Sequence, residues 1–298
     1  MTTETHLSPV DWTNGLGLGR VPHGGRPVVA LRRHGTDEAR LAVVNGQVFD
    51  DLPALLEAAG GDLAAIEAGT VIDAPDHQLL SPVGRPGKII CLGQNYLAHV
   101  HEGGRGTGPS HPDFFPKWHT SLAAPFADVA LPPESDQIDY ESELAVVIGV
   151  RARRIAAEDA GSVIFGYTAA NDVSVRDFQF HTTQRAAGKA WDGLTPLGPV
   201  VVPATQLGGV RPDLAITGTL DGEVVQDDRT SSLLFGIPEM LAYITTVMSL
   251  EPGDLILTGT PSGVGFARDP KILLRHGSEF EVRIEGIGAL RNHFVDEK

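Results

Sequence analysis

One cysteine in 298 residues excludes an internal disulfide and any cysteine-rich zinc site. That residue, Cys91, sits in the apolar run from Lys88 to Leu92 and reads as a buried core thiol. No apolar run reaches the ~18 residues of a membrane-spanning helix, and the N-terminus lacks the basic-then-apolar order of a secretion signal. A cytoplasmic protein is expected. Positive charge is also scarce, with 23 Lys and Arg against 38 Asp and Glu and a net charge of −15. That balance disfavours nucleic acid and membrane surfaces as partners. An anionic small substrate stays open only if a metal ion or a few buried Lys and Arg receive it locally.

Glycine and proline are abundant, at 35 and 21 residues, and they are spread along the chain. This pattern points to many strands joined by turns. Residues 1–84 read as a small N-terminal α+β domain. It has strands at Val28–Arg32 and Ala39–Val44, a hairpin turn at Asn45-Gly46 and a helical pattern over Asp51–Ala68. Gly15-Leu-Gly-Leu-Gly19 neither follows a strand nor opens a helix, so it is no dinucleotide fingerprint. The linker from Ser81 to Gly87 leads into residues 85–298. Strands are expected there at Ile89–Leu92, Leu144–Val150, Ile164–Ala170, Pro199–Pro203, Leu214–Leu220, Glu223–Gln226, Leu255–Thr258 and Glu279–Glu285. The clearest helix spans Ile237–Leu250, and Gly103–Pro116 should be mobile. Strict strand–helix alternation is missing, which argues against a TIM barrel or a doubly wound sheet. A strand-rich α+β roll is expected.

Chemistry concentrates in Asp139-Tyr-Glu-Ser-Glu-Leu-Ala-Val-Val-Ile-Gly149. Glu141 and Glu143 lie two apart on one strand and project from the same face. A third acid, Asp172, ends the apolar strand Ile164–Ala170. Glu-x-Glu alone is more often a solvated strand face. Here the acids run straight into apolar strands without polar alternation, and burying them without a cation would be costly. Three carboxylates and no cysteine favour a hard ion, Mg²⁺ or Mn²⁺, with Ca²⁺ a further option. His99 and Glu102, three apart on a short helix over Tyr96–Glu102, form a second pair. Such pairs are usually solvent-facing, but a Glu beside an imidazole also makes a general base. Arg176 and Gln179 follow Asp172 by four and seven residues, on one side of a short helix. Lys189, among glycine and apolar neighbours, is expected to point inward. Ser262 lacks the Gly-x-Ser-x-Gly spacing of a serine hydrolase.

Four blocks occur in order: Tyr140–Gly149, Gly166–Asp177 (GYTAANDVSVRD), Gly188–Gly198 (GKAWDGLTPLG) and Leu257–Gly265 (LTGTPSGVG). Together they resemble the fumarylacetoacetate hydrolase family over roughly residues 85–295. The resemblance implies a mixed β-roll, usually a homodimer, acting on 2-oxo acids, with metal ligands at Glu141, Glu143 and Asp172. It makes His99 and Glu102 a catalytic dyad on a mobile lid hinged near Gly103–Pro109, and Lys189 a stabiliser of enolate charge. Arg176, Gln179 and Thr260 become substrate ligands. Lys117, in Phe115-Pro-Lys-Trp118, resembles a further substrate-binding segment, although Trp replaces the usual Pro. The expected activity is metal-dependent hydrolysis of a C–C bond in acylpyruvate-type acids. Isomerisation or decarboxylation of 2-oxo diacids, oxaloacetate included, is the alternative, since all pass through one enolate. A zinc amidohydrolase, suggested by His99-Val-His101, would need a (β/α)₈ barrel. A non-catalytic scaffold would have no use for the dyad.

Overall fold

A computed structural model describes residues 7–104 and 106–297. Residues 1–6 of the expected small domain, Arg105 in the stretch expected to be mobile, and Lys298 lie outside them. Among the described residues thirteen strands form one sheet. Its order is Ser8–Pro9, Glu67–Asp73, Glu38–Val44, Arg26–Arg33, Leu16–His23, Thr195–Pro203, Ile164–Asn171, Ser142–Ile148, Leu255–Leu257, Ile89–Gly93 and Asp113–Lys117, with two short strands off this path. A five-stranded sheet runs Val129–Leu131, Gly288–Asp296, Glu279–Ile284, Ala215–Leu220 and Glu223–Arg229. Among the described residues no helix is long and apolar enough to cross a membrane.

The strand Ser142–Ile148 explains why the sequence shows no polar alternation there. Leu144, Val146 and Ile148 belong to the core shared with the five-stranded sheet. Ala145 and Val147 pack on the opposite face, with Leu52, Leu55 and Leu56 in the same apolar cluster. Both faces of the strand are covered, so every position from Leu144 to Ile148 is apolar. Burying one leucine contributes roughly 1.5–3 kcal/mol. The strands before residue 84 also join the main sheet, since Leu18 pairs with Val201.

Several boundaries differ from expectation. The helix read over Asp51–Ala68 spans only Leu52–Ala59. Asp51 caps its start by accepting from the Ala54 amide, and Gly60, at φ 61°, ends it in the left-handed region that glycine tolerates best. The chain then turns and re-enters the sheet as Glu67–Asp73. Gly15–Gly19 lies largely within the strand Leu16–His23. The last turn expected of the Ile237–Leu250 helix is absent. The helix stops at Val247, and Leu250 exchanges backbone hydrogen bonds with Ala152 instead. Part of the stretch expected to be mobile is the strand Asp113–Lys117, paired antiparallel to Ile89–Gly93.

Cys91 is fully buried on that neighbouring strand, and burial pushes its thiol well above the ordinary range. It should therefore resist a thiol-exchange reagent in the native protein and react only on unfolding. Fast native labelling would contradict this packing.

Candidate active site

Two adjacent antiparallel strands bring the three acids together. Glu143 lies opposite Ala170 in the register of Ser142–Ile148 with Ile164–Asn171, and the Asp172 amide donates to the Glu141 carbonyl (2.9 Å). Glu141 stands just before the strand, not within it as expected, yet its side chain converges on the same point. One ligand oxygen from each of Glu141, Glu143 and Asp172 lies within 4.8 Å of the others, and all three residues are buried. The Gly259 amide donates to Glu143 (2.7 Å), and Asn171 Oδ1 receives the Glu141 amide (3.0 Å).

Buried cations surround the trio. Lys189 Nζ reaches Glu141 at 2.7 Å and Asp172 at 2.8 Å, and Lys117 Nζ reaches Asp172 at 2.6 Å. Arg176 pairs with Glu141 at 2.7 Å and with Asp139 at 2.7 Å, and its Nη1 also donates to Gln179 (3.0 Å). Burial opposes ionisation of Glu141, but Lys189 and then Arg176 overcome it and hold the carboxyl below its usual range. Glu143 behaves oppositely. Burial, then Asp172 and Glu141, push its carboxyl well above the ordinary value, and among the described residues no cation pairs with it. Burial works against the charge on Lys189, yet Asp172 and Glu141 keep it ionised.

A buried all-oxygen donor set containing one carboxyl that favours its proton fits a hard divalent cation, which would replace that proton. Glu141, Glu143 and Asp172 would hold it.

Glu141 opens into a cavity of about 440 Å³ lined also by, among others, His99, Glu102, Arg176, Gln179, Lys189 and Thr260. His99 and Glu102 lie on the helix Leu97–Glu102, with His99 Nδ1 2.7 Å from Glu102 Oε1. Glu102 Oε2 accepts from the Gly263 amide (2.8 Å), which ties this helix to the loop carrying Thr260. The root of the helix is fixed by Asn95, buried at 1% exposure. Its Nδ2 donates to the Thr258 carbonyl (2.9 Å) and its Oδ1 accepts from the Phe235 amide (2.8 Å). Asn95→Ala should cost roughly 3 kcal/mol, because several buried backbone groups lose partners. A lowered urea midpoint at unchanged slope would show it; an unchanged midpoint would not fit these contacts.

Of the ten residues singled out, seven line the cavity. Glu143 and Asp172 stand in the wall behind Glu141, and Lys117, expected against substrate, is instead buried against Asp172. Among the residues with site contacts that escaped the sequence reading are Asp139 and Gln226. Asp139 is fully buried, pairs with Arg176, and accepts from the amides of Gly265 (2.8 Å) and Phe266 (3.0 Å). It opens the same acidic block, so a signal was present. Gln226 accepts from the Ser142 amide (2.9 Å) and donates to Thr260 Oγ1 (2.8 Å). It sits in a mostly polar strand with nothing to distinguish it.

Fold and site together define an enzyme of α+β type built around a buried carboxylate trio suited to a divalent cation. Residues 88–295 match the family model described as fumarylacetoacetate (FAA) hydrolase, C-terminal. The chain belongs to the fumarylacetoacetate hydrolase family. It is 38% identical over 227 residues to a human protein named oxaloacetate tautomerase FAHD2A, mitochondrial, covering 76% of this chain and 72% of that one. The fumarylacetoacetate hydrolase of Exiguobacterium antarcticum superposes with a TM-score of 0.80 at 32% identity, over 95% of this chain and 100% of its own. A 5-carboxymethyl-2-hydroxymuconate delta-isomerase from Mycobacterium smegmatis superposes at 0.73 and 31% identity, over 94% and 100%.

Proposed function

We propose that this enzyme interconverts the keto and enol forms of short 2-oxo dicarboxylates, oxaloacetate among them. The observation that carries the reading is the His99–Glu102 pair on the wall of the cavity into which Glu141 opens. A Mg²⁺ or Mn²⁺ ion held by Glu141, Glu143 and Asp172, or Ca²⁺ in their place, would polarise the 2-oxo group and acidify the neighbouring carbon. Glu102 bonds His99 Nδ1 and leaves Nε2 for proton transfer. His99 takes a proton from the carbon beside the carbonyl, and the imidazolium returns one proton to the enolate oxygen. Lys189 offers positive charge to that oxygen as it becomes anionic. One proton moves and no bond between heavy atoms breaks. Relatives named as oxaloacetate tautomerases tilt the choice this way rather than towards hydrolysis, which the sequence alone favoured.

Acylpyruvate hydrolysis is the second reading, supported by the superposition on a fumarylacetoacetate hydrolase. The same dyad would then activate water against the distal carbonyl. Proton NMR and enol absorbance with Mg²⁺ or Mn²⁺ separate the two. Accelerated loss of oxaloacetate enol without new carbon products is expected. Pyruvate plus a second acid from an acylpyruvate would establish hydrolysis instead, and pyruvate plus carbon dioxide from oxaloacetate would establish decarboxylation. No metal-dependent change in any of these acids would remove the proposal.

A further inference from the structure

Among the described residues three Lys and Arg side chains line the cavity, and two are already committed. Lys189 is held by Glu141 and Asp172, and Arg176 by Asp139 and Glu141. The third, Arg185, keeps a quarter of its side chain exposed, and among the described residues its one ion pair is with Asp113 (Nη2–Oδ2, 2.7 Å). Asp113 is itself 43% exposed, so water weakens this pair and leaves the guanidinium free to share its charge.

The strand Asp113–Lys117 sets the spacing. Asp113, Phe115 and Lys117 are alternate residues and share one face. Lys117 meets Asp172 of the trio, Lys189 Nζ lies 5.3 Å from the Phe115 ring centroid, and Asp113 holds Arg185. At about 3.3 Å per residue the ends of this row stand roughly 13 Å apart along the backbone. Lys117, which meets the acid trio, and Asp113, whose half-exposed carboxylate holds Arg185, mark the two ends of this row, with Phe115 between. Gly93, the cross-strand partner of Asp113, leaves the room: a Cβ there would lie 2.5 Å from Arg185 Nη1. Its backbone is not in the left-handed region, so space and not conformation calls for glycine at this point. Thr182 and Thr183 also line the cavity.

We infer that Arg185 receives the far carboxylate of a 2-oxo dicarboxylate and sets a preference for diacids over monoacids. The inference rests on the 2-oxo acid reading above and names the residue that discriminates within that class. A guanidinium binds a carboxylate through two parallel N–H donors, and it offsets the repulsion that a dianion meets from a chain of net charge −15.

Binding and turnover test it together. Malate and lactate are hydroxy acids that differ by the distal carboxylate, and calorimetry in Mn²⁺ gives their dissociation constants. Turnover compares oxaloacetate with its 4-methyl ester. Arg185→Gln should lower the malate-to-lactate affinity ratio about tenfold or more, with a matching fall in the diacid-to-ester ratio of kcat/KM carried by KM. Arg185→Lys should restore part of both. Asp113→Asn keeps the cation and should retain the preference. If Arg185→Gln weakens both ligands equally, or if Asp113→Asn abolishes the preference, Arg185 merely braces the wall and the inference is overturned. A wild-type protein that prefers malate to lactate but transforms no 2-oxo acid would leave Arg185 standing and remove the proposed reaction.

Discussion

An Asp172→Asn variant should lose turnover and divalent-metal binding together while remaining folded. Asp172 joins Lys117 and Lys189, both buried, to the trio. Removing the side chain altogether would strand the Lys117 ammonium and leave Lys189 with Glu141 alone, and breaking a buried pair costs about 3–5 kcal/mol. Asparagine keeps the shape and one oxygen while deleting the charge, so it separates metal binding from folding. Lewis-acid assistance worth several kcal/mol corresponds to a loss of roughly 10³-fold or more in kcat. Metal titration by calorimetry, turnover in Mg²⁺ and Mn²⁺, and circular dichroism are the three measurements. Wild-type turnover that survives chelation, or a variant that still turns over at the normal rate, would disprove the metal-dependent scheme.

His99→Ala should lower kcat about 10²- to 10⁴-fold and leave metal affinity nearly unchanged. The imidazole is not one of the three clustered ligands, and its partner is Glu102. Glu102→Gln should cost less, because an amide oxygen can still accept from the ring or from the Gly263 amide, which Glu102 bridges. Measuring kcat and the metal dissociation constant on one preparation decides the matter. If metal affinity falls in step with rate, His99 is a ligand and the dyad must be redrawn.

Much of the site was legible because its residues cluster in short, dense blocks. Glu141 and Glu143 announced themselves by preceding a strand with no polar alternation, and Asp172 by ending another. The structure supplies the reason, since both faces of Ser142–Ile148 are covered. The strand Asp113–Lys117 was less legible, because its Asp-Phe-Phe-Pro-Lys composition and a proline-rich approach resemble a loop. Its proline fits an edge position: the strand ends the sheet, where one side needs no ladder donors. The helix after Asp51 was read too long because the apolar pattern continued past Gly60, while a left-handed backbone ended it.

Local sequence determined the things that depend on neighbours along the chain. These are the closeness of Glu141 and Glu143 in one short block, the three-residue spacing that joins His99 to Glu102, and the glycine that stops a helix. Tertiary structure alone decided which cation meets which acid. Lys117 finds Asp172 across 55 residues and Arg185 finds Asp113 across 72. Charge attracts without regard to sequence order, so only the packing of the sheet selects the partners.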